Sequence, residues 1–132
     1  MSTVKMVEYE DASAEVKAVY DDLMGKKGID FVPNFWKTIA THPPTLQRIW
    51  RDLQEVMAPG KLDRRTKEMI AMAVSATNGC AYCINSHTAA AVKMGMDEEM
   101  LGELMAVVGM FNLTNKMVEG YQVEPDVFAK FE

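Results

Sequence analysis

Apolar residues along this 132-residue chain recur at three- and four-residue spacing, which is typical of helices with one buried face. No stretch alternates apolar and polar residues as a half-buried strand does. The pattern predicts helices over about 13–24, 33–39, 45–57, 63–77, 80–95 and 97–118. The fold class expected from this pattern is all-α, a helical bundle of about six helices.

Capping residues and helix breakers set the predicted boundaries. Ser13, Asp63 and Asp97 each precede an apolar-periodic segment, and their short polar side chains suit the N-cap position. Glycines within residues 25–28 are expected to break the first helix, and prolines 43–44 are expected to end the second. Without internal repeats or low-complexity tracts, residues 1–132 are expected to form a single domain.

Charge and composition narrow the possible functions. Fourteen basic residues against 19 acidic ones give a net charge of −5, which argues against a nucleic acid or an anionic membrane as partner. The chain has no apolar run of about 18 residues and no secretory leader pattern. Two closely spaced cysteines fit redox or metal chemistry better than a secreted disulfide framework. The expected location is the cytoplasm.

The candidate chemistry centres on Cys80 and Cys83, which follow a predicted helix break at Asn78 and Gly79. In the first turn of a new helix, unpaired N–H groups and the positive end of the helix dipole favour a thiolate. Three-residue spacing puts both sulfurs on one face, near enough to join or exchange. The alternative is a pair of buried, inert cysteines.

An imidazole and a carboxylate accompany the thiols. His87 lies four residues after Cys83, on the same helical stripe, where it can carry a proton near neutral pH. Glu68 is one of few polar groups at the start of an otherwise apolar helix. It is either a desolvated base or a residue at the helix's outer edge, paired with Lys67 or Arg64.

The pattern Glu68-x(11)-Cys80-x(2)-Cys83-x(3)-His87 resembles the signature of the alkylhydroperoxidase-D-like family, in the carboxymuconolactone decarboxylase superfamily. The segments Phe-Val-Pro-Asn-Phe-Trp and Lys-Glu-Met-Ile-Ala also look like those of members, and the resemblance extends over about residues 13–118. One position departs from the family: members often carry histidine where this chain has Tyr82, which is either a hydrogen-bond donor or a rim aromatic.

The resemblance implies an all-α fold, assembly into homo-oligomers (trimers or hexamers), and thiol-dependent peroxidase activity. By position, Cys83 would be oxidised to sulfenic acid, Cys80 would be proton donor and then resolving thiol, and Glu68 with His87 would form the proton relay. The substrate would be a hydroperoxide. Because the sequence has no flavin or nicotinamide fingerprint, no cofactor is expected, and an external thiol or disulfide reductant would supply the electrons.

Three other functions compete with the peroxidase. One is a decarboxylase like the superfamily's namesake, which has no need for a cysteine pair. Another is a metal-binding module with the same four residues as zinc ligands, and the last is a redox sensor with negligible turnover. Candidate contact surfaces for an oligomer are the small residues Gly102, Ala106 and Gly109 and the Phe35-Trp36 pair, which intramolecular packing explains equally well.

Overall fold

A computed structural model describes all 132 residues and contains six α-helices and no strand, which confirms the all-α prediction. The helices are α1 (Ala14–Lys27), α2 (Asn34–Ile39), α3 (Pro43–Met57), α4 (Arg64–Asn78), α5 (Ala81–Lys93) and α6 (Glu98–Tyr121). They divide into a first unit, Met1–Ala58, and a second unit, Pro59–Glu132. The single domain expected over 1–132 stays a prediction. No helix is both long and apolar enough to cross a bilayer.

The capping predictions are confirmed. Ser13, Asp63 and Asp97 each precede a helix and accept a hydrogen bond from the backbone N–H three residues further along. At Asp63 the N–H of Thr66 donates at 2.7 Å, and this bond holds the pKa of the Asp63 carboxyl below its usual range. Each cap satisfies one of the N–H groups that a helix start leaves without a partner.

Three predicted boundaries are wrong, and one of them is the end of the sixth helix, which reaches Tyr121 rather than about Val118. The first helix does not end near Met24: α1 continues through Gly25 to Lys27 and ends at Gly28, which has a left-handed φ of 63°. A helical glycine costs only about 1 kcal/mol relative to alanine, so the neighbouring residues can carry it. The third helix begins at Pro43 rather than at Thr45, because the first turn of a helix tolerates proline.

The first unit has an apolar core formed by α1, α2 and α3. Tyr20, Leu23 and Leu46 are fully buried in it, and the rings of Trp36 and Trp50 meet edge to face, with centroids 5.3 Å apart. Phe35 packs on Trp36 with centroids 5.1 Å apart. The Phe35-Trp36 pair therefore belongs at least in part to the intramolecular packing.

Two hydrogen bonds satisfy polar atoms at the edge of this core. The Tyr20 hydroxyl donates to the Val7 carbonyl at 2.8 Å, and burial raises the pKa of Tyr20 to about 12. The indole N–H of Trp50 donates to Asp22 at 2.8 Å and lowers the pKa of that carboxyl. Both aromatic residues can therefore be buried without leaving an unpaired polar group.

The second unit has a smaller core, in which α4 packs against both α5 and α6. Its four buried apolar residues are Met72, Ala91, Met96 and Leu104. The amide of Asn112 on α6 donates to the Thr77 hydroxyl at 3.0 Å and ties the last helix to the end of α4. The predicted seam residues Gly102, Ala106 and Gly109 are exposed, so intramolecular packing does not explain them.

Replacing Leu46 with alanine tests the core of the first unit. Because Leu46 is fully buried, Leu46→Ala should lower the free energy of unfolding by about 2–5 kcal/mol, through lost burial and the cavity left behind. Chemical denaturation followed by circular dichroism measures it. The control is Leu62→Ala, at a leucine that is half exposed, where the change should stay near ~0.5 kcal/mol. Equal losses in the two variants would contradict the packing described.

Candidate functional site

A tight turn joins α4 to α5 and places the cysteines. Gly79 ends α4 with a left-handed φ of 70°, and the N–H of Cys80 returns to the Ser75 carbonyl at 2.9 Å. Such a hydrogen bond is typical of helices that end at a left-handed glycine, and it fixes the direction of the chain after α4. Helix α5 begins at the very next residue, Ala81, with Cys80 as its N-cap.

The two cysteines are joined as a disulfide whose Cα atoms lie 5.3 Å apart, so the predicted proximity of the sulfurs is confirmed. Both residues are partly buried. The backbone N–H of Cys83 donates to Cys80 Sγ at 3.3 Å, which makes this sulfur the cap of α5. Sequence reasoning placed the cysteines in the first turn but missed that one of them is the capping side chain itself.

Glu68 and His87 meet across the two helices. Glu68 lies on α4 and is only 3% exposed, and its Oε2 is 2.7 Å from Nδ1 of His87 on α5. With Nδ1–H donated to the carboxylate, the other ring nitrogen, Nε2, can accept or release a proton. His87 stands one helical turn after Cys83, so the imidazole and the disulfide lie along the same stripe of α5.

Arg64 provides a second charged partner for the same carboxylate. Its Nε lies 3.8 Å from Glu68 Oε1, and its side chain is half exposed. Both sequence-based interpretations of Glu68 are thus partly right. The residue pairs with Arg64 as a helix-edge glutamate would, yet it is buried and also holds the histidine. The four-residue spacing from Arg64 to Glu68 was the signal for this contact.

The surroundings of the disulfide bear on two remaining predictions. Tyr82 is 45% exposed, and both its interpretations, as a hydrogen-bond donor and as a rim aromatic, stay predictions. No group of three or more His, Cys, Asp or Glu side chains is arranged to hold a metal ion, and the two sulfurs are bonded to each other. The zinc module stays a hypothesis from the sequence.

The two cysteines, the histidine and the buried glutamate all lie in a segment of the chain that matches a known protein family. Residues 44–123 match the Carboxymuconolactone decarboxylase family, more than half of the chain, so the protein belongs to that family. The alkylhydroperoxidase AhpD core from Rhodospirillum rubrum has a solved structure that is 41% identical to this chain, with a TM-score of 0.89. That match covers 96% of this chain and 95% of the other.

Two sequence relatives complete the comparison. The alkyl hydroperoxide reductase AhpD of Anaeromyxobacter sp. (strain K) is 28% identical over 130 residues, which cover 90% of this chain and 67% of the reductase. The uncharacterized protein YdfG of Bacillus subtilis (strain 168) is 38% identical over 58 residues, 44% of this chain. The match spans only 40% of YdfG. This chain is thus similar to proteins named for reduction of alkyl hydroperoxides.

Glu68→Gln tests whether the carboxylate supports the chemistry of the thiols. Glutamine can still accept the Nδ1–H bond, but it could not stabilise the imidazolium that would form if His87 took a thiol proton. We expect the reduced variant to react with iodoacetamide about tenfold more slowly at pH 7, with its helix content unchanged.

The matched control is Glu103→Gln, which removes one negative charge from an exposed position of α6. Its alkylation rate should equal that of the wild type. If reduced Glu68→Gln is alkylated as fast as the wild type, Glu68 plays no part in activating the cysteines.

Proposed function

We propose that the protein is a thiol-dependent peroxidase, which reduces hydroperoxides through Cys80 and Cys83 with electrons from an external thiol donor. The observation that carries the proposal is the paired cysteines at the start of α5, one turn from a histidine held by a buried carboxylate. Similarity to proteins named as alkyl hydroperoxide reductases supports it. The expected setting is the cytoplasm, where thiols are kept reduced.

In the proposed cycle, the Cys83 thiolate attacks the hydroperoxide O–O bond. The sulfur keeps one oxygen as sulfenic acid, and the other leaves as an alcohol after it takes a proton. Cys80 then attacks the sulfenic sulfur, expels water and forms the Cys80–Cys83 disulfide. Two thiols of the external donor reduce that disulfide and leave as the donor's own disulfide. Each turnover consumes one hydroperoxide and two donor thiols.

The N-cap position of Cys80 supports its proposed role as the sulfur that leaves when the disulfide is opened. As the N-cap of α5, Cys80 Sγ accepts the N–H of Cys83, and the same N–H would stabilise a Cys80 thiolate. A stabilised thiolate leaves more readily when a disulfide is opened. The external thiol would therefore attack Cys83 and release Cys80. His87 and Glu68 would accept the thiol proton and return it to the departing alkoxide.

Two alternative functions, the decarboxylase and the redox sensor, predict results that differ from those of a peroxidase. A decarboxylase would work without either sulfur, whereas a redox sensor would form the disulfide but would not sustain turnover. Peroxide consumption is therefore measured with a panel of thiol donors, together with thiol titration before and after oxidant. Several turnovers per chain support the peroxidase. One turnover per chain would move the assignment to the sensor.

Substitution of each cysteine by serine tests the assignment of roles. Cys83→Ser should abolish hydroperoxide reduction, because no sulfur is left at the attacking position. Cys80→Ser should still be oxidised once, at Cys83, and should then be trapped as a mixed disulfide with the donor thiol. Peroxide assays and intact mass spectrometry follow the two outcomes.

Ser86→Ala on the exposed side of α5 is the control, and it should turn over as the wild type does. Undiminished peroxide reduction by Cys83→Ser would contradict the proposal. A mixed disulfide that forms in Cys83→Ser but not in Cys80→Ser would reverse the two roles.

The proposed enzyme is a homo-oligomer, as the family resemblance implies, and the outer surface of α6 supports this. No charged residue lies between Glu103 and Lys116, and the helix is apolar on more than the side that packs on α4. A helix that is apolar all round is normally buried. Its exposed large apolar residues are Met105, Val107, Met110, Phe111, Leu113, Met117, Val118 and Tyr121. A side chain added at Gly102 or Gly109 would meet nothing within 4 Å, so another helix has room to approach there.

A charge placed on this surface tests the oligomer. In sedimentation velocity at two concentrations, the wild type should give three or six times the 14.8 kDa mass of one chain. Leu113→Glu should shift it towards a single chain, because a carboxylate would be buried without a partner. Lys61→Glu, at an exposed position outside α6, is the control and should sediment as the wild type. A wild type that sediments as one chain at both concentrations would rule the oligomer out.

A further inference from the structure

Glu68 has two partners, His87 and Arg64, and each of them contacts a different oxygen. His87 Nδ1 lies 2.7 Å from Oε2, and Arg64 Nε lies 3.8 Å from Oε1. The Glu68 side chain is 5% exposed, whereas that of Arg64 is 49% exposed. The arginine thus lies at the solvent edge of a buried carboxylate whose inner side holds the histidine.

A buried carboxylate is stable as an anion only if a positive charge or several hydrogen bonds compensate it. If His87 were the only counter-charge, the pair would be balanced only while the imidazole was protonated. That balance would hold the proton on His87. The guanidinium of Arg64 is charged at every physiological pH, so it balances Glu68 in both states of the ring.

The packed helices carry several other titratable groups. On α4, Arg65 is exposed and Lys67 is partly buried, and the ion pairs of Glu68 are with Arg64 and His87. On α5, Cys80 and Cys83 are bonded to each other. The remaining titratable residues of α5 and α6 are Tyr82, Lys93, Glu98, Glu99, Glu103, Lys116, Glu119 and Tyr121. Of these, Lys116 and Glu119 pair with each other.

We propose that Arg64 is a positioning residue, which compensates the Glu68 charge so that His87 can both give up and take back a proton. The mechanistic part of the inference rests on the peroxidase function proposed above, since a relay must pass its proton on and recover it in each turnover. Arg64 acts through Glu68 and His87.

Proton NMR of the histidine rings tests the inference without any enzymatic assay. The chain has two histidines, so His87 is observed beside the exposed His42 as an internal reference. In the oxidised protein neither cysteine titrates. We expect the pH at which His87 takes up its proton to rise by about half a unit in Arg64→Gln, because the imidazolium alone then balances the carboxylate. His42 should titrate as in the wild type.

Two further variants separate the contact from a general charge effect. Arg64→Lys keeps a cation four residues before Glu68 and should restore most of the wild-type curve. Arg65→Gln removes the same charge from the neighbouring exposed position and should leave the His87 curve unchanged. The inference is overturned if Arg64→Gln titrates like the wild type, if Arg64→Lys behaves like Arg64→Gln, or if Arg65→Gln shifts His87 equally.

Turnover of the same variants links the contact to the function. If the protein is a peroxidase, the acid side of the pH profile of kcat/KM should move to higher pH in Arg64→Gln, as the NMR curve does. A wild type that does not consume hydroperoxide would refute the proposed function and leave the NMR result to decide the role of Arg64. If Arg64→Gln shifts the His87 NMR curve but leaves the pH profile of kcat/KM unchanged, Arg64 has no positioning role in turnover.

Discussion

The pairing of the buried Glu68 carboxylate with His87 is the interaction on which the candidate site depends. A carboxylate that is 3% exposed is tolerated in an apolar helix only with its counter-charges in place. The histidine comes from α5, so the pair fixes which side of α5 faces α4. The cysteines share that side, one and two turns before His87. The need to pair the buried Glu68 carboxylate with His87 thus sets the orientation of α5, the helix that begins at the two cysteines.

The backbone turn before α5 supplies the second constraint. Gly79 adopts a left-handed conformation that a residue with a Cβ adopts only with strain, and Cys80 follows at once as the N-cap. A longer connection would have moved the cysteines into a loop, away from the N–H groups of the first helical turn. The thiol chemistry proposed above depends on those N–H groups, because they are what stabilises a sulfur anion.

Much of the fold was predictable because helix signals are local. Periodic apolar residues and the caps at Ser13, Asp63 and Asp97 depend on neighbours within one turn of the chain. The wrong boundaries arose where one residue type permits two outcomes. A glycine can lie inside a helix, as at Gly25, and a proline can begin a helix, as at Pro43. The proximity of Cys80 and Cys83 followed from spacing alone.

The environment of Glu68 could be narrowed to two possibilities from the sequence but not decided. Its contact with Arg64 is set by spacing within one helix, whereas its burial and its contact with His87 depend on how α4 packs on α5. The exposure of α6 was unpredictable for a similar reason. Val107 and Phe111 continue the apolar face begun by Leu104, yet α4 covers only part of that face. Apolar periodicity shows which side of a helix avoids water, but not which neighbour covers it.

The hydrogen bond from the Cys83 N–H to Cys80 Sγ has a consequence for how position 80 can be altered. Serine is among the preferred residues at a helix N-cap, whereas alanine leaves the first turn without an acceptor and costs about 1 kcal/mol. A hydroxyl there removes the sulfur at position 80 and keeps the start of α5. The methyl group of alanine removes both the sulfur and the cap. A loss of function in an alanine variant could therefore come from either change.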